Sequence, residues 1–128
     1  MDRGFLFGDG IYEVIPCYLG KPVGFHAHIQ RLNNGLDSLD IELEWDANDW
    51  HRILERLLLD NSVENAGVYL HVSRGADASR VHAYPQNIQP TVFAFTFDIA
   101  AQKEAIKQSV KGCRVKSSED LRWRRCHI

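Results

Sequence analysis

The sequence predicts an α+β fold, a mostly antiparallel sheet with two helices packed on it. Three observations lead to this class: short runs of alternating apolar residues, two neighbouring segments of helical periodicity, and short hairpin connections. Strands and helices do not alternate regularly along the chain, which disfavours a parallel sheet. The sequence also contains no internal repeat and no low-complexity segment.

The first predicted element is a hairpin. Residues 11–18 alternate well enough for a strand, and Leu-Gly-Lys-Pro at residues 19–22 supplies the Gly and Pro of a turn. A short second strand is expected over residues 23–25. The preceding Gly-Asp-Gly at residues 8–10 is interpreted as a tight turn, because a phosphate loop would be followed by a helix and a nearby Lys.

Two helices are predicted next. The first is expected over about residues 27–40, where apolar residues recur at spacings of three and four. These residues are Ile29, Leu32, Leu36 and Leu39. The second helix begins after Asp46, a favourable N-cap, and ends near residues 60–61. Its predicted buried face consists of Trp50, Ile53, Leu54, Leu57 and Leu58.

The second half of the chain is expected to complete the sheet. Apolar residues alternate over residues 68–72, which predicts a strand leading into a long loop over residues 75–89. A strand follows over residues 91–98, with its three Phe side chains on one face. Residues 102–111 form a weaker helical stretch stopped by a Gly, and residues 113–116 are a candidate for one more strand.

Composition excludes several functional classes. Hydrophobic residues make up 45% and charged residues 25% of the 128 residues, as in ordinary globular domains. The formal net charge of −2 offers no general attraction for nucleic acid or an anionic membrane. Since neither an apolar span nor a signal peptide is recognisable, we expect a cytoplasmic protein. The three Cys residues are widely spaced, so neither a disulfide framework nor a zinc site is indicated.

The residues themselves offer three further candidates for chemistry. Arg80 and His82 would project to the same side of an extended loop and could hold a small anion, although an ordinary polar loop is at least as good an interpretation. His26 and His28 are better explained as a solvated helix start than as metal ligands. The basic and aromatic cluster at residues 122–127 lacks a nucleic-acid-binding motif.

Four segments together resemble the class IV aminotransferases, the fold-type IV pyridoxal phosphate enzymes. They read DRGFLFGDGIYEV at residues 2–14, HIQRL at 28–32, RVHAYP at 80–85 and DLRW at 120–123. Within the family they are most similar to the D-amino acid aminotransferases, which carry the paired Arg and His of the third segment. The resemblance implies the family's small N-terminal α+β domain and pyridoxal 5'-phosphate as cofactor.

The resemblance also implies roles for individual residues. Arg31 would grip the cofactor phosphate, and Glu13 matches an acidic position near the cofactor lysine. Tyr12 would help to hold the substrate carboxylate. Arg80 and His82 would complete that carboxylate site, reaching across the interface of a homodimer into the neighbouring subunit's site.

The resemblance further implies a division of the chain. Residues 1–116 would form the small domain, with the family's first strands missing, and residues 117–128 would begin the segment leading to a larger C-terminal domain. Arg122 and Arg125 match arginines near the Schiff-base lysine, which is expected directly after Ile128. Because transamination needs that lysine, we expect residues 1–128 alone to be inactive.

Alternative functions remain open at this point. A branched-chain aminotransferase or an aminodeoxychorismate lyase would have the same fold. A protein of another class is also possible: a noncatalytic module that binds a small carboxylate or a partner subunit through the Arg80 loop. The next codons of the gene would separate an enzyme from such a module, since an enzyme needs the lysine.

Overall fold

A computed structural model describes residues 1–120, and within them one four-stranded antiparallel sheet carries the helices, as the predicted α+β class requires. The strand order is β2-β1-β3-β4. In chain order the elements are α1 (Arg3–Phe7), β1 (Gly10–Tyr18), β2 (Lys21–Pro22), α2 (Phe25–Ser38), α3 (Ala47–Asp60), β3 (Ala66–Ser73), β4 (Thr91–Asp98) and α4 (Gln102–Lys111). The predicted start of the interdomain segment, with Arg122 and Arg125, lies largely outside these described residues.

The core lies between one face of the sheet and helices α2 and α3. Strand β3 is central and pairs with β1 on one side and β4 on the other. Its alternate residues Val68, Leu70 and Val72 are fully buried and pack with the apolar sides of both helices. Burial of each such side chain stabilises the fold by about 1.5–3 kcal/mol. The helical residues of this core are Phe25, Ile29, Leu32, Leu36, Trp50, Leu54 and Leu58.

The opposite face of the sheet carries a row of aromatic side chains, of which Tyr69 is half-buried and the others are exposed. Tyr12 stacks on Tyr69, with ring centroids 5.4 Å apart, and Tyr69 lies 5.0 Å from Phe95. Phe93 and Phe97 flank Phe95 along the same strand. We call this surface, made of these five residues, the aromatic face. Its residues alternate with buried residues along β3 and with half-buried residues along β4, so this is the more exposed face of the sheet.

The hairpin after β1 is shorter than predicted. Strand β2 consists of Lys21–Pro22, so the expected strand over residues 23–25 is wrong. Leu19 and Gly20 both have positive φ, 52° and 72°, and form a two-residue turn that brings the chain back at once. Gly24 then redirects the backbone with φ 65°, and helix α2 begins directly after it.

Other element boundaries agree with the sequence more closely. Strand β4 and helix α4 have the predicted bounds, and α3 is capped by Asp46 in a reciprocal capping box with Asp49. Helix α2 starts two residues before its predicted position.

Two elements differ from expectation. The candidate strand over residues 113–116 is absent, because this exposed segment pairs with no other strand in the part of the chain that the structure describes. Helix α1 was not predicted; its single turn is capped by the Asp2 side chain, which accepts from the Gly4 amide, and by Gly8 in the left-handed conformation.

Candidate functional site

Glu13 lies at the centre of the first cluster of candidate residues. The alternation of β1 turns this side chain toward helix α2, where it is 3% exposed. His28 and Arg31 are three residues apart on α2 and therefore face it together. The Glu13 Oε2 atom lies 2.8 Å from His28 Nδ1 and accepts from Arg31 Nη2 at 2.6 Å, while Oε1 accepts from Arg31 Nε.

The electrostatics of this cluster keep both of its main groups charged. Burial alone would raise the pKa of Glu13, but hydrogen bonds from Arg31 and His28 outweigh it and lower that pKa below its ordinary value. The hydrogen bond to Glu13 in turn raises the pKa of Arg31. The Arg31 side chain is 72% exposed, and within residues 1–120 its Nη1 atom has no hydrogen-bond partner. A permanent, oriented cation is thus available to an anion.

The sequence pattern alone does not indicate the role of His28 as a partner of Glu13. Its interpretation as part of a solvated helix start is wrong, since its ring pairs with a buried carboxylate. The signal that could have identified it is the spacing of three between His28 and Arg31, combined with an acidic residue on a neighbouring strand. His26 is exposed and contacts the ring of Phe25. No group of three or more His, Cys, Asp or Glu side chains in the described residues is arranged to hold a metal ion.

Arg80 and His82 lie together on the exposed loop between β3 and β4. Both side chains contact Phe7 of helix α1: the Arg80 Cζ atom is 5.3 Å from the Phe7 ring centroid, and the His82 ring is 4.9 Å from it. The two side chains thus lie against the same ring. They present a guanidinium and an imidazole to solvent in a common region.

Tyr12 stands apart from both groups. It is 62% exposed on the aromatic face, whereas Glu13, the next residue, points to the opposite face of the sheet. In residues 1–120 no hydrogen bond or ring contact joins Tyr12 to Arg80 or His82. The structure thus brings Glu13 to Arg31 and Arg80 to His82, and it leaves Tyr12 on a separate surface.

A second buried ionic cluster lies beneath the Arg80 loop and was not anticipated from the sequence. The Asp9 Oδ2 atom accepts from Arg3 Nε at 2.8 Å and from Arg74 Nε at 2.9 Å. All three side chains are less than 10% exposed. We call these residues the buried arginine cluster. Burial would raise the pKa of Asp9, but the hydrogen bonds from Arg74 and Arg3 lower it below its ordinary value.

The Gly-Asp-Gly segment at residues 8–10 forms the predicted turn. Gly8 ends helix α1 with φ 65°, Asp9 turns its side chain into the buried arginine cluster, and β1 begins at Gly10. A Cβ atom at Gly10 would lie 2.6 Å from the Val72 carbonyl oxygen, so close backbone packing requires Gly there.

No helix in the described chain has the length and apolar character to cross a membrane.

Comparison with known proteins gives relatives over almost the whole chain. It is 36% identical over 128 residues to a D-alanine aminotransferase of Staphylococcus epidermidis, covering 99% of this chain and 44% of that protein. A D-alanine aminotransferase of Listeria monocytogenes is 35% identical over 127 residues, with the same coverage. The chain thus spans less than half the length of these curated relatives.

Solved structures share the fold. A 4-amino-4-deoxychorismate lyase from Pseudomonas aeruginosa matches with a TM-score of 0.63 at 27% identity, over 76% of this chain and 34% of that one. A branched-chain amino acid aminotransferase of Escherichia coli matches with a TM-score of 0.70 at 19% identity, over 80% and 34% of the two chains. The sequence profile of the family described as amino-transferase class IV matches residues 10–128. Since that match covers nearly the entire chain, the chain belongs to the class IV aminotransferases.

Proposed function

We propose that the intact protein is a pyridoxal phosphate dependent aminotransferase that moves an amino group between a D-amino acid and a 2-oxo acid. The observation that carries this proposal is the loop in which Arg80 and His82 both contact Phe7, which offers two donors to a carboxylate. The similarity to D-alanine aminotransferases supports the D-amino acid as substrate class.

Arg31 is the proposed ligand of the cofactor phosphate. The chemistry of the donor fits, since a guanidinium binds phosphate oxygens through paired hydrogen bonds and keeps its charge. Two of its nitrogens are held by Glu13, which leaves Nη1 to face the ligand. Glu13 is buried and fully engaged, so in this proposal it orients Arg31 and balances its charge. A further role for Glu13 near the cofactor lysine stays a prediction.

The chemical step needs groups beyond those described. Pyridoxal phosphate, when bound, supplies an electron sink for the substrate's α-carbon. The lysine expected after Ile128 would hold the cofactor and move the α-proton. In this proposal Arg80 and His82 bind and orient a substrate carboxylate, and Tyr12 contributes a hydroxyl to the carboxylate in its own subunit's site. We propose that Arg80 and His82 serve the neighbouring site of a homodimer, which agrees with their lack of contact with Tyr12.

The same fold also supports a different substrate. The proposal favours a D-amino acid over a branched-chain amino acid or aminodeoxychorismate because the curated relatives are D-alanine aminotransferases. The cluster of Glu13, His28 and Arg31 disfavours a noncatalytic carboxylate-binding module. Such a module would bind its anion through the Arg80 loop and would not need this second cluster. That the protein is cytoplasmic stays a prediction.

The test compares two substitutions in the full-length protein. Arg31→Ala should weaken cofactor binding before it affects substrate binding. The loss would be seen in the visible absorbance of bound pyridoxal phosphate. Arg80→Ala should keep the cofactor and raise KM for D-alanine and for the 2-oxo acid by tenfold to a hundredfold, the cost of about 1.5–3 kcal/mol for a charged hydrogen bond.

Arg56→Ala is the matched control, since Arg56 is an exposed arginine paired with Asp60 on helix α3. Arg56→Ala should change neither the retention of the cofactor nor the KM for D-alanine and the 2-oxo acid. Cofactor loss in Arg80→Ala, or an unchanged KM, would contradict the assignment of the substrate site. Turnover of L-leucine or aminodeoxychorismate in preference to D-alanine would support the alternative enzymes.

A further inference from the structure

We propose that Arg3 is a positioning residue for substrate recognition, because the buried arginine cluster holds the backbone that presents Arg80 and His82. This inference rests on the proposed function, in which those two side chains bind the substrate carboxylate. Arg3 itself is 2% exposed and reaches no ligand, so it would act only through the loop.

The Arg3 guanidinium binds the loop through its backbone. Nη1 donates to the Val81 carbonyl at 2.7 Å and to the Ala83 carbonyl at 3.4 Å, while Nη2 donates to the His82 carbonyl at 3.2 Å. These three consecutive carbonyl groups directly follow Arg80. A fork that grips them fixes the local backbone and therefore the directions in which Arg80 and His82 project.

Asp9 and Arg74 hold the fork in place. The Asp9 carboxylate accepts a hydrogen bond from Nε of Arg3, which leaves the two terminal nitrogens to donate to the loop. Arg74 shares the same carboxylate oxygen and donates to the carbonyl groups of Leu39 and Asp40, just after helix α2. The loop is thereby tied through one carboxylate to the helix layer of the domain.

Aromatic side chains complete the connection. Arg74 Cζ lies 3.7 Å from the Tyr84 ring centroid, which anchors the loop directly after the three carbonyl groups. Arg3 Cζ lies 4.8 Å from the ring centroid of Phe7, one helical turn along α1, and that same ring contacts Arg80 and His82. Helix α1 thus supplies the Arg3 side chain that holds the loop backbone. It also supplies the Phe7 ring that Arg80 and His82 contact.

Packing alone would not define this loop. Residues 80–84 are exposed and belong to no helix or strand, so few apolar contacts restrain them. A lysine at position 3 would keep the charge, but it has no planar fork with which to grip three carbonyls and one carboxylate at once. The geometry therefore predicts that Arg3→Lys loosens the carboxylate site although it preserves charge.

The experiment uses the full-length protein loaded with pyridoxal phosphate. We compare wild type, Arg3→Lys, Arg80→Ala and the double variant by steady-state kinetics and by cofactor absorbance. Arg3→Lys should raise KM for D-alanine and the 2-oxo acid about tenfold, with less than a twofold change in cofactor affinity. In the Arg80→Ala background the same change should raise KM by clearly less than tenfold, because only His82 is then left for Arg3 to position.

Leu54→Ala controls for general destabilisation, since Leu54 is a fully buried core residue on helix α3. It should lower the thermal midpoint and leave KM unchanged. An equal rise of KM in Leu54→Ala and Arg3→Lys would overturn the inference. Should Arg3→Lys fail to fold, Tyr84→Leu provides the second test, with an expected rise of KM of about threefold from a residue on the exposed loop.

The two proposals fail in different ways. If Arg80→Ala raises KM but Arg3→Lys and Tyr84→Leu do not, the positioning inference is wrong and the substrate site stands. If Arg80→Ala leaves KM unchanged, the proposed substrate site is wrong and the inference falls with it.

Discussion

Glu13 and Arg31, eighteen positions apart in the chain, form a two-point ion pair between a buried carboxylate and an exposed guanidinium. Their side chains are 2% and 72% exposed, respectively. Such an asymmetric pair orients a surface cation. The buried Glu13 carboxylate is fixed by its surroundings and holds Nε and Nη2 of Arg31, whereas Nη1 stays available to an anion. A conformationally restricted Arg31 binds an anion with a smaller loss of side-chain entropy.

Replacement of Glu13 by Gln should weaken cofactor binding without removing Arg31. The amide keeps the shape but loses the charge and one acceptor, so the guanidinium is held less firmly. We expect the affinity of the cofactor-free protein for pyridoxal phosphate to fall roughly tenfold, as measured by fluorescence titration. Glu55→Gln on the exposed side of α3 is the control, and an equal affinity in both variants would refute the orienting role of Glu13.

The carboxyl group of Asp9 predicts a specific loss of stability in acid. Its pKa is lowered in the folded state, so between the folded and unfolded pKa values the unfolded chain binds more protons. Its contribution is complete above about pH 4, the ordinary range of Asp carboxyl groups, and is lost as the pH falls through the lower folded value.

Thermal midpoints recorded from pH 7 down to pH 3 would measure this contribution. Asp9→Asn should have a lower midpoint at neutral pH and a shallower acid decline than wild type. Asp98→Asn, at an exposed position at the end of β4, serves as control. Parallel pH curves for wild type and Asp9→Asn would show that Asp9 carries no linked proton.

The two thiols within residues 1–120 should differ strongly in reactivity. Cys17 is fully buried in β1, and burial raises its pKa, whereas Cys113 is exposed. Since the thiolate is the reactive form, iodoacetamide at pH 7.5 should label Cys113 in the native protein and reach Cys17 only in denaturant. Peptide mass spectrometry separates the two sites, and rapid native labelling of Cys17 would contradict the buried position of β1.

The aromatic face predicts that residues 1–128 associate when expressed alone. Phe93, Phe95 and Phe97 are 57%, 41% and 40% exposed on one continuous surface. An uncovered apolar patch of this kind favours self-association. Light scattering should give a mass above 14.7 kDa at micromolar concentration. The double change Phe93→Ser and Phe95→Thr should reduce that mass, and Leu59→Ser on α3 should not; a monodisperse wild-type monomer would disprove the prediction.

Local patterns in the sequence determined the elements of this fold. The alternation in β3 and β4, the spacing of apolar residues in α2 and α3, and the Asp46 cap each depend on residues within a few positions of one another. Such signals predict which segments form strands and helices. They failed at β2, where two successive positive φ values at Leu19 and Gly20 shortened the hairpin loop.

The motifs also determined the family, because its characteristic residues keep their order and spacing along the chain. They identified Arg31, Arg80 and His82 as candidate site residues, yet they could not show what holds them. The contacts that do so are distant in sequence: Glu13 with Arg31 across eighteen positions, and Arg3 with the Val81 carbonyl across seventy-eight.

Only the tertiary structure decided how those side chains are oriented. Pairing of β1 with β3 and packing of α2 on the sheet bring Glu13 against His28, and a backbone hydrogen bond from Arg3 to the Gly75 carbonyl holds Arg3 against the start of the loop. A one-dimensional pattern carries no information about such contacts, since a buried charge looks like a surface charge until its partner is known. Burial then makes the pairing obligatory, because an isolated ion inside the fold would be too costly.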